Sequence, residues 1–227
     1  MKATYLGHSA VLLESQEYKI LIDPFLKHNP QYIKDPNHIK NITHILVTHA
    51  HGDHIGDSIQ IAQDTGALIV CNAEIATILR SMHQDLNIHP MHIGGRAPFD
   101  FGSIKMTPAL HGSGFVHNDM IYDGGSPCGF LVKVLDKTIY HAGDTGLTYD
   151  MKLLENSLID LAFLPIGGNY TMDIDDAVIA TDFIKSKIVV PIHFNTFDGI
   201  EANPLEFKEK VTTSKVVILK PNDSIEI

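Results

Sequence analysis

The ten residues Ile45-Leu46-Val47-Thr48-His49-Ala50-His51-Gly52-Asp53-His54 decide the reading of this chain. An apolar run of the kind that forms a buried strand ends at Thr48, and helical periodicity begins just beyond His54. Four residues able to ligate a metal therefore sit at a strand's end. In near-extended backbone, residues two apart face the same way, so His49 and His51 can grip one ion. Gly52 lets the chain turn sharply, after which Asp53 and His54 project elsewhere and can hold a second. One histidine at a strand end is ordinarily a packed or solvated residue; four potential ligands in six residues are not.

Three further positions repeat the setting, each closing an apolar run and followed by a turn or loop: His111 in Pro-Ala-Leu-His-Gly-Ser, Asp144 in His-Ala-Gly-Asp-Thr-Gly, and His193 in Val-Pro-Ile-His-Phe. Composition points the same way. Fourteen histidines and no tryptophan make metal binding the first hypothesis to test. The two cysteines, Cys71 and Cys128, form no C-x-x-C or disulfide framework and read as free, buried thiols in a reducing compartment. A formal charge of -10 argues against a general affinity for polyanions. No apolar run approaches the roughly 20 residues of a membrane span, and the opening residues lack the apolar core of a signal peptide, so the expected location is the cytoplasm.

Strands are expected at Ala3–Leu13, Tyr18–Ile22, Ile42–Thr48, Ala67–Cys71, Ile104–Ala109, Gly129–Val134, Thr138–His141, Leu161–Pro165, Ile188–Ile192, Val216–Leu219 and Ser224–Ile227. Helices are expected at Gly56–Thr65, Glu74–Met82, Met151–Asn156, Ile174–Phe183 and Pro204–Val211. Two β-rich halves, each covered by helices, predict a single α/β domain over residues 1–227, a four-layer αββα sandwich. The stretch His111–Gly129, rich in Gly, Ser and Asn, reads as a long loop.

The run His49-x-His51-x-Asp53-His54, followed by His111, Asp144 and His193, resembles the metallo-β-lactamase superfamily. The segments Tyr5-Leu6-Gly7-His8-Ser9, Leu21-Ile22-Asp23-Pro24-Phe25 and His141–Gly146 resemble the small bacterial metal-dependent hydrolases related to L-ascorbate-6-phosphate lactonase. The resemblance implies one metal on His49, His51 and His111, a second on Asp53, His54 and His193, and Asp144 bridging both. It also implies His8 and Asp23 near the metals, orienting ligands or touching substrate. Asp144 stands where some β-lactamases use a cysteine, which argues against β-lactam hydrolysis. His51 stands where the flavodiiron oxidoreductases carry an acidic residue, and no flavin domain accompanies it.

Imidazole and carboxylate ligands without thiolate suit Zn²⁺ first, with Mn²⁺ or Fe²⁺ as alternatives. Such a pair of divalent ions would activate a hydroxide, with Asp53 orienting it or moving its proton. The expected function is hydrolysis of an ester-type bond, in a phosphodiester of a nucleic acid or nucleotide, or in a lactone. A non-catalytic metal-binding protein and a di-iron redox protein are the competing classes. Structural zinc sites, however, are closed by four ligands, usually including cysteines. Homo-oligomerisation is expected only from the prevalence of symmetric assemblies. Gly167–Met172 is a candidate pocket loop, and His117, Asn118 and Tyr122 are candidate substrate contacts by position alone.

Overall fold

The computed structural model describes residues 1–227, the side chain of Pro36 apart. Its strands are β1 (Lys2–Gly7), β2 (Ala10–Glu14), β3 (Lys19–Ile22), β4 (His44–Leu46), β5 (Leu68–Asn72), β6 (Ile88–Met91), β7 (Arg96–Phe99), β8 (Gly102–Pro108), β9 (Gly114–His117), β10 (Met120–Asp123), β11 (Cys128–Val134), β12 (Lys137–His141), β13 (Leu161–Pro165), β14 (Ile188–Ile192), β15 (Lys215–Val216) and β16 (Ser224–Glu226). Two seven-stranded sheets result, ordered β16-β1-β2-β3-β4-β5-β6 and β15-β14-β13-β12-β11-β8-β7. Each is mixed: β3 through β6 run parallel in the first, β12 through β15 in the second.

Period-two alternation explains why both sheets are covered on both faces. Ile20 and Ile22 of β3, with Leu46 and Val70, point inward and meet Phe130, Val132, Leu161, Phe163, Val190 and Ile192 of the opposite sheet. The intervening Leu21, Ile45, Ile69 and Cys71 point outward, under Ile61 and Ala62 of a helix at Ser58–Thr65 and Ile75, Ala76 and Leu79 of another at Ala73–Met82. On the far side, Leu131, Tyr140, Ala162, Leu164 and Val189 lie beneath helices at Ile174–Ile184 and Pro204–Lys210 and a 3₁₀ segment at Tyr149–Leu154. Four layers follow, as the sequence predicts. No helix among the described residues is long and apolar enough to cross a membrane.

Several element boundaries differ from expectation. Ala3–Leu13 is not one strand but a hairpin, broken where Gly7 and His8 take φ of +100° and +56°. The expected loop His111–Gly129 contains a second hairpin, β9 and β10, turning through Asn118 and Asp119, both at positive φ. That geometry suits a two-residue type I′ connection, and Phe115-Val116-His117 and Met120-Ile121-Tyr122 on either side were its legible signal. The helix expected at Gly56–Thr65 begins at Ser58, and a separate single turn at Gly52–Ile55 precedes it. The break falls at Gly56, whose φ is +43°. Strands β6 and β7, four residues each and holding Pro90 and Pro98, are too short and proline-interrupted to stand out in the sequence pattern.

Candidate metal centre

The carboxyl ends of the parallel strands meet at one rim of the sandwich. From the first sheet come His8 in the β1–β2 turn, Asp23 after β3, and His49 through His54 after β4. From the second come His111 after β8, Asp144 after β12 and His193 after β14. All seven expected ligands, with His8, fall into three overlapping groups whose ligand atoms lie within 4.8 Å of one another: His49, His51 and His111; His8, Asp53, His54 and His193; and His49, His54 and Asp144. The first two groups divide the residues as the resemblance implies, with His8 added to the second. Asp144 lies between them: its Oδ2 is 2.9 Å from His193 Nε2, 3.2 Å from His54 Nε2 and 3.6 Å from His111 Nε2.

Hydrogen bonds beneath these groups set ring orientation. Asp23, fully buried, accepts from Thr48 N at Oδ1 (2.8 Å) and, at Oδ2, from Thr48 Oγ1 and His54 Nδ1 (both 2.7 Å). Because the Thr48 hydroxyl donates to Asp23, its lone pairs face His49 Nδ1 at 3.0 Å. Both rings are thus held with a proton on Nδ1 and Nε2 turned toward the site, the arrangement expected around a bound metal. Asp23 thus ties the Thr48 backbone and hydroxyl to the His54 ring, and Thr48 is a partner that the sequence pattern does not mark. His8 Nε2 lies 3.1 Å from Asp53 Oδ2, and its Nδ1 lies 3.0 Å from Thr196 Oγ1. His193 N donates to the His8 carbonyl (2.9 Å), joining the two sheets at the rim.

His141 is a packed residue: its Nε2 donates to the Ser9 carbonyl (2.9 Å) and its Nδ1 accepts from Gly143 N (3.1 Å). Gly143 sits at φ +64°, where a Cβ would come within 2.5 Å of the Cys128 carbonyl, so only glycine lets Asp144 approach its partners. Thr145 Oγ1 accepts from Leu110 N (2.9 Å) and so ties the Asp144 turn to the one bearing His111.

The electrostatics are those of a cluster built around positive charge. Burial, reinforced by His54, pushes the His49 imidazole well below its ordinary pKa. For His54 burial works in the same direction, yet the Asp144 and Asp23 carboxylates outweigh it and hold the ring well above the usual range. Asp144, which burial would raise, is held well below the carboxylate range by His54 and His193. Among the described residues, His54 Nε2 and Asp144 Oδ1 are buried without a hydrogen-bond partner. His49 Nε2 and His51 Nδ1 face each other at 3.0 Å, two lone-pair donors converging on one point. Orphaned donors of these types, converging and thiolate-free, fit divalent first-row cations.

A cavity of about 230 Å³ opens over the groups, lined by His51, Asp53, His111, Asp144 and His193 and walled by Tyr170, Phe197 and Ile200. Tyr170 comes from the Gly167–Met172 loop singled out in the sequence, acting through its ring. Phe197 and Ile200 follow His193 in an irregular turn that periodicity could not flag. His117, Asn118 and Tyr122 do not line the cavity, and the acidic start of the Ile174–Ile184 helix is a cap, with Asp173 accepting from Asp176 N (2.9 Å).

Comparison with known proteins accords with this geometry. Residues 18–194 match the family described as the β-lactamase superfamily domain. A UPF0173 metal-dependent hydrolase of Alkaliphilus metalliredigens is 51% identical over 220 residues, 96% of each chain. One from Geobacillus sp. is 48% identical over the full length of both. Among solved structures, the metallo hydrolase Igni18 of Ignicoccus hospitalis superposes with a TM-score of 0.88 at 38% identity, covering 99% of this chain and 97% of its own. An isothiocyanate hydrolase from Delia radicum gut bacteria, 22% identical with a TM-score of 0.75 and covering 100% and 99% of the two chains, shares the fold. None of these matches supports the resemblance to L-ascorbate-6-phosphate lactonase. The chain belongs to the metallo-β-lactamase superfamily, within its UPF0173-like family of small bacterial metal-dependent hydrolases.

Proposed function

We propose that the protein hydrolyses an ester-type bond at a dinuclear centre, with His49, His51 and His111 holding one divalent ion, Asp53, His54 and His193 the other, and Asp144 shared between them. The observation that carries the reading is the position of Asp144 Oδ2, within 3.6 Å of imidazole nitrogens from both groups. When bound, two such ions supply Lewis acidity and lower the pKa of coordinated water toward about 7. Zn²⁺ is favoured, with Mn²⁺ and Fe²⁺ as the alternatives that a carboxylate-bridged site also accepts.

The chain's own residues supply positioning and proton handling. Asp23 and Thr48 fix the rings of His54 and His49 before any substrate arrives, so no reorientation is needed at the moment of reaction. Asp53 reaches the cavity while its carboxylate is held by His8, in position to orient a water or take its proton. Tyr170, Phe197 and Ile200 give one side of the cavity an apolar wall. The two buried, free cysteines accord with a cytoplasmic setting.

Elemental analysis of the purified protein, paired with hydrolysis of bis(p-nitrophenyl) phosphate and of a simple lactone by the wild type and Asp144→Asn, tests the proposal. Two equivalents of metal per chain, and activity lost in the variant, are expected. Absence of metal after reconstitution with Zn²⁺ and Mn²⁺ would sink it, and redox-active iron would point to the di-iron class instead.

A further inference from the structure

The walls of the cavity narrow the substrate further. Of its lining residues none is lysine or arginine. The non-ligating wall is apolar: Tyr170, 62% exposed; Phe197, 42% exposed, with its ring 5.2 Å from His8 and 6.0 Å from Phe25; and the buried Ile200. The charges nearest in the chain to that wall are acidic. Asp198 follows Phe197, and Glu201, next to Ile200, accepts from Gly199 N to close the turn. The turn is pinned at its base by Asn195 N donating to the Ile200 carbonyl (2.8 Å).

The charge balance of the floor is equally restrictive. Two divalent ions would bring four positive charges, of which Asp53, Asp144 and the buried Asp23 would offset three and an activated hydroxide the fourth, leaving no surplus to hold an anionic substrate. Sites that bind phosphate esters add arginine or lysine for the non-bridging oxygens, in bidentate geometry for preference. Nothing lining this cavity supplies that. At about 230 Å³, it is also smaller than the ~300–1,000 Å³ of pockets that enclose drug-sized ligands, and a base-paired or multi-nucleotide substrate has no basic track to follow.

Building on the hydrolase reading above, we infer that the substrate is a small uncharged carboxylic ester or lactone whose apolar group packs between Tyr170 and Phe197, and not a phosphodiester. In the reaction a water oxygen bonds to the acyl carbon, the acyl carbon–oxygen bond breaks, one water proton passes to the departing alkoxide, and the other is lost to solvent as the new acid ionises. The products are a carboxylate and an alcohol, or a hydroxy-carboxylate from a lactone. The two aromatic rings act as a specificity wall: they sort acyl groups by apolarity and size and take no part in bond making.

The Zn²⁺- or Mn²⁺-reconstituted protein is assayed with p-nitrophenyl butyrate, p-nitrophenyl acetate and the monoanionic p-nitrophenyl hemisuccinate, which share a leaving group, and with bis(p-nitrophenyl) phosphate. Expected is kcat/KM about 10–100-fold higher for butyrate than for either the hemisuccinate or the acetate, consistent with the value of a well-packed apolar group. Phe197→Ala and Tyr170→Ala should each raise KM for butyrate about 10-fold and erase most of the preference for butyrate over acetate, and Phe197→Leu should restore most of that preference. Calorimetric binding of butyrophenone, a ketone with no leaving group, should weaken about 10-fold in Phe197→Ala; 4-oxo-4-phenylbutanoate, its carboxylate-bearing counterpart, should bind the wild type more weakly. Equal turnover of charged and uncharged esters, phosphodiester hydrolysis insensitive to both aromatic variants, or ketone binding unchanged by them would overturn the inference while leaving a metal-dependent hydrolase. Loss of every activity together with failure to bind metal would instead remove the reading on which it rests.

Discussion

Asp23 Oδ2 accepts a 2.7 Å hydrogen bond from His54 Nδ1, and both residues are fully buried. A carboxylate at φ +45° is costly to place, and its hydrogen bonds with His54 and Thr48 compensate that cost. Replacing Asp23 by Asn removes the charge while keeping the shape. Metal affinity, read by competition with a chromogenic chelator, is expected to fall about 10–100-fold, as for other carboxylates that orient metal-bound imidazoles. An unchanged affinity with a native circular dichroism spectrum would show that Asp23 has only a folding role.

Removal of metal should lower the melting temperature. A ligand at 100 times its Kd stabilises a fold by about 2.7 kcal/mol, which for a chain of this size corresponds to roughly 5–10 °C. Thermal unfolding of chelated and Zn²⁺-saturated protein measures the difference. Coincident melting curves would contradict a native site of that affinity.

Gly56, which closes the turn bearing Asp53 and His54, offers a test through the backbone and not through a ligand side chain. A Cβ there would lie 2.4 Å from the Pro24 carbonyl, at a φ of +43° that L residues rarely adopt. Gly56→Ala is expected to cost at least about 3 kcal/mol, seen as a lower urea midpoint, since strain and a backbone clash add. Because Pro24 follows Asp23, the displaced loop should also weaken metal binding. A urea midpoint matching the wild type would contradict this.

Burial pushes the Cys71 thiol up to about 12 and the Cys128 thiol well above its ordinary range. In the unfolded chain both ionise near pH 8.5, so between that pH and their folded values the unfolded state holds fewer protons than the native one. Their contribution is complete below about pH 8.5 and is lost as pH rises beyond it. Unfolding free energy should fall by up to about 1.4 kcal/mol per pH unit for each thiol. Denaturant titrations from pH 8 to 11 test this, and the Cys71→Ala, Cys128→Ala double variant should postpone the decline to the range where tyrosines ionise. The thiols should also resist iodoacetamide in the native state at pH 8.

The layering was legible in the sequence because alternation such as Ile20-Leu21-Ile22 and Leu161-Ala162-Phe163 writes both faces of each sheet into one run. The seven histidines and aspartates at strand ends were legible for a similar reason: their types are rare in apolar surroundings. What escaped was set by tertiary context. The separation of β1 from β2 depends on Gly7 and His8 turning at positive φ inside a stretch that reads as one strand. Thr48 is an ordinary strand-end residue until Asp23 folds beneath it, and Phe197 belongs to a turn with no period to read.

The hydrogen bond from His193 N to the His8 carbonyl joins residues at opposite ends of the chain's course through the fold. The seven candidate ligands span positions 49 to 193 and are divided between the two sheets. Neither half alone can offer a full coordination set. Under the proposed ligand assignment, a complete coordination set requires both sheets to be in place, so metal binding and sheet docking stabilise one another.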